Sequence, residues 1–212
     1  MKENLYQKKT WEGEFGEDYL NRNIYDIDIL YTENYGVSKT LINNEFLKNI
    51  PKDAKILEVG TNIGIPLKHL QDIGYTNLYG IELQPRAIEY SKKNFENLNI
   101  IKADALDIPF KDNYFDLVYT HGVLIHISPA NISKALHEIY RVSKSYIWGL
   151  EYYAEIYTEI EYHGEKNLLW KTNFMALFLN EFKDLKKIKE KKYTYLKDAN
   201  LQDQVYLLKK IT

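Results

Sequence analysis

The stretch Ile56-Leu-Glu-Val-Gly-Thr-Asn-Ile-Gly-Ile65 decides the fold. An apolar run ends at Val59, the chain turns through Gly60 and Gly64, and a helical pattern begins at Ile65. A buried strand that turns through glycine into a helix is the opening unit of an open α/β sheet, in which ligands bind beyond the carboxyl ends of the strands. Glycine at the first turn position lets a ligand approach the backbone with no Cβ in the way. The helix that follows presents free N–H groups. Taken alone, the same turn serves equally well as a tight connection with no ligand.

Working outward, short apolar runs alternate with helical segments. After the strand Lys55–Val59 come a helix over Ile65–Ile73, a strand Asn77–Glu82, a helix Pro85–Phe95 and strands Asn99–Lys102 and Phe115–Thr120. A helix Pro129–Val142 and a strand Ser145–Leu150 follow. This spacing predicts βαβ crossovers and a mostly parallel sheet. The tail departs from the pattern, with a helix predicted over Trp170–Phe182 and strands over Asp184–Tyr195 and Asp203–Ile211. Two strands with no helix between them imply an antiparallel pair at one edge. The expected architecture is therefore α/β, a seven-stranded mostly parallel sheet with an antiparallel edge strand and helices on both faces. Residues 1–50 read as an N-terminal helical cap or lid and residues 51–212 as the main domain of a single compact unit. In the cap, helices are predicted around Glu17–Arg22 and over Val37–Asn49, the second capped by Ser38 with Leu41, Ile42, Phe46 and Leu47 on its apolar face.

Composition narrows the function classes. The chain has 212 residues, 45% hydrophobic and 27% charged, with a net charge of −2. That suits one ordinary domain able to bury a core. No apolar run reaches the ~18 residues of a membrane span, and the first residues, Met-Lys-Glu-Asn, lack a signal-peptide core, so a cytoplasmic protein is expected. Zero cysteines remove disulfides, thiolate nucleophiles and zinc–sulfur sites together. The near-neutral balance argues against a nucleic-acid footprint. The lysines between Lys183 and Lys192 are diluted by Asp184 and Glu190 and read as protection of an edge strand. No His-x-x-x-His pair or carboxylate cluster has metal-ligand spacing, so no metal is expected.

Two acids follow in order. Glu82 ends the second strand, where a carboxylate can accept hydrogen bonds from ribose hydroxyls. Asp104 follows the third strand, placed to accept from an adenine amine. A dinucleotide site wants glycine at the first, third and sixth turn positions, and here these are Gly60, Asn62 and Ile65. The pattern Glu58-x-Gly60-x-Asn62-x-Gly64 instead resembles the first motif of class I S-adenosylmethionine-dependent methyltransferases, which have a Rossmann-like fold. Asn62 stands where many relatives carry glycine, and asparagine tolerates left-handed backbone. Further motifs, Trp11-Glu-Gly-Glu-Phe-Gly-Glu-Asp-Tyr-Leu-Asn-Arg-Asn23, His121-Gly-Val-Leu-Ile-His-Ile127 and Glu151-Tyr-Tyr153 with Glu161-Tyr-His-Gly164, resemble the pseudaminic-acid-biosynthesis-associated methylase family.

The resemblance implies S-adenosylmethionine as cofactor, with S-adenosylhomocysteine as product. It implies that Glu58, Gly60, Thr61, Asn62 and Gly64 form the methionine turn, that Glu82 and Leu83 meet the ribose and ring, and that Asp104 and Ala105 meet adenine. His121 would lie at the methionine end, with Trp11, Tyr19 and Arg22 closing over the site. A hydroxyl acceptor also needs a base, for which His121 and His126 are the candidates. The segment Ala154–Leu168 reads as an acceptor-binding loop, with Tyr152, Tyr153, Tyr162, His163 and Lys171 as its contacts and Arg141 as a further one. The implied activity is O-methylation of a small polar acceptor, such as a sugar nucleotide or phosphorylated precursor of bacterial surface polysaccharide. A nicotinamide oxidoreductase and a catalytically inactive cofactor-binding partner are the alternatives.

Overall fold

The computed structural model describes residues 2–13, 15, 16, 20 and 24–211, with side chains from residue 7 onward. Helix α1 (Lys2–Glu12) leads to α2 (Ile27–Tyr35) and α3 (Lys39–Leu47), and the sheet begins with β1 (Lys55–Val59). Then come α4 (Ile65–Asp72), β2 (Asn77–Glu82), α5 (Pro85–Asn94), β3 (Asn99–Lys102), β4 (Phe115–His121), α6 (Ile132–Val142) and β5 (Ser143–Tyr152). A hairpin of β6 (Thr158–Tyr162) and β7 (Glu165–Lys171) precedes α7 (Phe174–Glu181), β8 (Leu185–Thr194) and β9 (Gln202–Lys210).

Seven strands form one sheet in the order β3-β2-β1-β4-β5-β9-β8. β1 pairs in parallel with both β2 and β4, and β4 with β5, whereas β9 is antiparallel to β5 and to β8. The order reverses between β1 and β4, the switch point at which such sheets open a crevice. β9 runs the other way, so its first residues sit beside the end of β5, with Asp203 in register with Tyr152.

Both faces of the sheet are covered because the strands are apolar on both sides. Ile56, Leu117, Trp148, Val205 and Leu207 pack with α2, α3 and α4, while Leu57, Val118, Ile147, Tyr206 and Leu208 pack with α6 and α7. Consecutive residues divide between the two cores as the two-residue period of a strand requires. Asp26 and Ser38 cap α2 and α3 through their side chains.

Several expectations need correction. The expected helix at Glu17–Arg22 lies largely outside the described residues. On α3, Leu41 is 60% exposed and belongs to the outer face, unlike Ile42, Phe46 and Leu47. Trp170 and Lys171 end a strand, so the tail helix starts later, at Phe174. The segment after β5 is a paired hairpin in place of the expected loop, because Leu168, Leu169 and Trp170 are buried and reward an ordered strand. The lysine-rich β8 does lie at the sheet edge, where Lys189 and Lys191 pair with Glu45 of α3.

Candidate functional site

The β1–α4 turn is built from left-handed residues. Gly60 (φ 72°), Asn62 (φ 47°) and Gly64 (φ 85°) alternate through it. Two amides, those of Gly60 and Thr61, donate to the Ile81 carbonyl of β2 at 2.9 and 3.0 Å. Glu82 holds the rest in place. Its Oε2 accepts from the Asn62 amide at 2.7 Å, and its Oε1 accepts from the amides of Leu83 and Gln84 at 2.7 and 2.9 Å. A carboxylate has about four acceptor positions, so one remains on Oε2 for a ligand hydroxyl. Burial pushes the Glu82 carboxyl above its ordinary range, against the pull of these three amides.

Glu58, on the strand itself, is buried and accepts from Thr61 Oγ1 at 2.6 Å, tying the strand to its turn. Desolvation raises its carboxyl to about 8. Gly64 faces away from the crevice. A Cβ there would meet Ser91 Oγ of α5 at 2.8 Å, so this glycine serves the close approach of turn and helix.

A cavity of about 430 Å³ follows the carboxyl ends of β3, β2, β1, β4 and β5 and the start of β9. That is within the range of pockets for small ligands. Asp104, Ala105, Leu83, Glu82, Asn62, Thr61, Gly60 and Glu58 line one half. His121, His126, Tyr152 and Tyr162 line the other, and Trp11 contributes from α1. The sequence-predicted residues are thus largely brought together. Tyr19 and Arg22 lie outside the described residues.

Four expected contacts stand elsewhere. Tyr153 bonds Glu155 and carries Lys192 over its ring; His163 is exposed at the hairpin tip; Lys171 lies over the outer ring of Tyr152 at 5.3 Å. Arg141, expected as a further acceptor contact, is taken up by Glu138, Asp112 and the carbonyls of Ile108 and Phe110, which neutralise its charge and use its donors.

Helix α1 lies across the opening and is anchored on both sides. Lys8 reaches Asp104 Oδ2 at 3.2 Å, Glu12 pairs with Lys102 at 2.9 Å, and Gln84 Nε2 donates to the carbonyls of Trp11, Glu12 and Gly13. Opposite, Gln7 Nε2 donates to the Asn167 carbonyl at 3.1 Å and the Trp11 ring stands edge-on to His126 at 4.6 Å. Through Gln7, Lys8 and Trp11, the helix held this way forms part of the cavity wall.

The two histidines have different surroundings. His121 Nε2 and the Tyr31 hydroxyl share a hydrogen bond of 2.5 Å. Burial depresses this imidazole well below its ordinary value, with Lys39 adding to the effect, and burial raises the Tyr31 hydroxyl. His126 Nδ1 lies 2.7 Å from the Leu168 carbonyl, which can only accept, so Nδ1 carries the proton. Burial brings His126 down to about 4. Its ring is wedged between Trp11 and Tyr162, joining lid, β4 turn and hairpin.

Sequence reasoning missed several residues. Tyr31 and Tyr35, one turn apart on α2, line the cavity beside Tyr195 and Asp203. Their i, i+4 spacing was a usable signal. Glu151, fully buried and raised to about 7 by desolvation, accepts from the amides of Val123 and Ile125 and fixes the turn after β4. Lys39 is 1% exposed, with Nζ over the rings of Tyr31 and Trp148 at 4.8 and 4.9 Å, and burial lowers it to about 7. Among the described residues, no group of three or more His, Cys, Asp or Glu is placed to hold a metal ion, and no helix is long and apolar enough to cross a membrane.

Comparison with known proteins agrees with this fold. Residues 57–146 match the family model of a methyltransferase domain. The phosphoethanolamine N-methyltransferase of Plasmodium falciparum is 24% identical over 145 residues, 66% of this chain and 54% of that protein. The chain thus spans about half the length of that curated relative. Among solved structures, the Burkholderia thailandensis 1,6-didemethyltoxoflavin-N1-methyltransferase, with 1,6-didemethyltoxoflavin and S-adenosylhomocysteine bound, superposes with a TM-score of 0.67. It is 13% identical, covering 94% of this chain and 90% of that one. The [4+2]-cyclase SpnF superposes equally well, with a TM-score of 0.67 at 13% identity over 98% of this chain and 94% of its own. At such identities the likeness is one of fold.

Proposed function

We propose that this chain, with its class I S-adenosylmethionine-dependent methyltransferase domain, methylates a hydroxyl of a small polar acceptor. A sugar nucleotide or a phosphorylated precursor of bacterial surface polysaccharide is the acceptor class that its motifs resemble. One observation carries the reading: glycine turn, Glu82 and Asp104 follow one another along a single cavity, with a histidine at the next strand end. When bound, S-adenosylmethionine supplies a methyl group already activated on a sulfonium centre. Gly60, Thr61 and Asn62 would hold its methionine part, Glu82 its ribose, Asp104 its adenine amine, and Leu83, Ala105 and Leu106 its apolar faces.

The chain's remaining work is to align the acceptor and remove a proton. His121 and Tyr31 form the pair for the second task. A proton leaving the acceptor hydroxyl reaches the Tyr31 oxygen as the Tyr31 proton moves to His121 Nε2. His126, engaged with Leu168 and edge-on to Trp11, positions α1.

Both named methyltransferase relatives are N-methyltransferases, so an amine acceptor is the competing reading. Incubating the chain with isotope-labelled donor and a polar metabolite extract, and identifying the labelled product by mass spectrometry, decides between them. Titration with S-adenosylhomocysteine and with NAD tests the cofactor. Because burial keeps both imidazoles neutral at physiological pH, neither histidine is expected to add a limb to the rate profile between about pH 8 and about pH 6. An acid limb is expected near 4 for His126, and His121 is also held well below its ordinary value. A His121 imidazole seen by NMR to titrate near 6.5 would remove it as the proton acceptor.

A further inference from the structure

The half of the cavity beyond His121 ends on a carboxylate that the reading above does not use. Asp203 opens β9 and is 3% exposed. Its Oδ2 accepts from the Tyr35 hydroxyl at 2.5 Å and from the Tyr195 hydroxyl at 3.3 Å. Its Oδ1 is buried and has no hydrogen-bond partner, although Asp203 lines the cavity. A buried carboxylate oxygen left without a donor is costly, and the side chain is retained at the floor of a pocket. Tyrosines from three elements surround it, Tyr35 of α2, Tyr152 of β5 and Tyr195 after β8, offering ring faces along with hydroxyls.

We propose that Asp203 is the acceptor anchor of this site, its Oδ1 accepting a hydrogen bond from a hydroxyl on the uncharged, polyhydroxylated sugar part of the acceptor, seated against Tyr35, Tyr152 and Tyr195. The assignment rests on the methyltransferase reading and deepens it on the acceptor side. Charge decides between a polyol and an amine. An ammonium group would have to enter a buried site that already feels Lys171 and Lys39, both of which act on the Asp203 carboxylate. What stays unmet is a single donor, which a sugar hydroxyl supplies without bringing a charge into a buried site. The aromatic faces suit the C–H faces of a sugar ring.

The test uses the full chain saturated with S-adenosylhomocysteine, with glucose and myo-inositol as neutral probes and ethanolamine as the cationic one. Binding is read by saturation-transfer NMR. The wild type is expected to bind the polyols and not ethanolamine. Asp203→Asn keeps the shape, but its single oxygen serves the two tyrosines and turns an amide donor toward the cavity. It should weaken polyol binding roughly tenfold or more while S-adenosylhomocysteine affinity stays within about twofold. Tyr35→Phe, which removes one hydroxyl and leaves the carboxylate, should weaken the polyols less, and both variants are checked for folding by thermal denaturation. Polyol binding unchanged in folded Asp203→Asn overturns the assignment, as does preference for ethanolamine or absence of polyol binding in a chain that holds S-adenosylhomocysteine. Failure of S-adenosylhomocysteine itself to bind overturns the methyltransferase reading first.

Discussion

Replacing Glu82 with Ala is expected to abolish useful donor binding and to destabilise the fold together. The side chain holds three amides, those of Asn62, Leu83 and Gln84. Each would be left without its partner at a cost of about 1–3 kcal/mol. Removing a buried carboxylate returns part of this, since Glu82 is itself disfavoured by desolvation. A net loss on the order of 3 kcal/mol remains, readable as a lowered denaturant midpoint. Without its bond to Glu82, Asn62 is held at φ 47° only by the Gly64-to-Thr61 bond that spans it, and the turn proposed to face the methionine part loosens. Affinity for S-adenosylhomocysteine, measured by calorimetry, should fall at least about 100-fold, more than one ligand hydrogen bond would account for. An unchanged affinity would remove the donor assignment.

Gly60→Ala should be nearly as damaging, by a different route. Alanine at φ 72° costs about 1–2 kcal/mol of backbone strain. Its Cβ would also stand 2.7 and 2.8 Å from the two methyl carbons of Val123. Val123 has little freedom to retreat, because its side chain is short and branched and its amide is held by Glu151. Strain and overpacking together predict a loss of roughly 2–4 kcal/mol. Displacing Val123 disturbs the turn after β4, so donor affinity should fall by at least about tenfold. Gly122→Ala is the control. It has a similar φ of 64° but open space around the missing Cβ, so only the strain should be felt.

The donor half of the site was legible because it is local. Strand, glycine turn and helix follow in sequence, and Glu82 and Asp104 each lie at the end of the next strand, so chain order and spatial order coincide. The acceptor half is built from distant segments. Asp203 reaches the cavity because β9 is antiparallel and starts where the parallel strands finish, a fact of topology that local pattern does not carry. The polar run Gln202-Asp-Gln204 ahead of four apolar residues marked the position only as a strand start. Tyrosine abundance concealed Tyr31 and Tyr35, whose i, i+4 spacing gains meaning only through their packing against His121 and the buried Asp203 carboxylate. Arg141 shows the reverse error. A cation suited to phosphate is spent on a structural network with Glu138 and Asp112 that no short-range motif announced.

The anchoring of α1 links turnover to ionic strength. Two of its ties, Lys8–Asp104 and Glu12–Lys102, are ion pairs partly open to solvent, the kind that added salt screens most. Lys8 takes only one acceptor position on Asp104, the carboxylate proposed for the adenine amine, so helix and purine can share it. Raising salt from about 0.05 to about 0.5 M should therefore speed S-adenosylhomocysteine dissociation several-fold in stopped-flow measurements. Lys8→Ala should show the faster rate already at low salt.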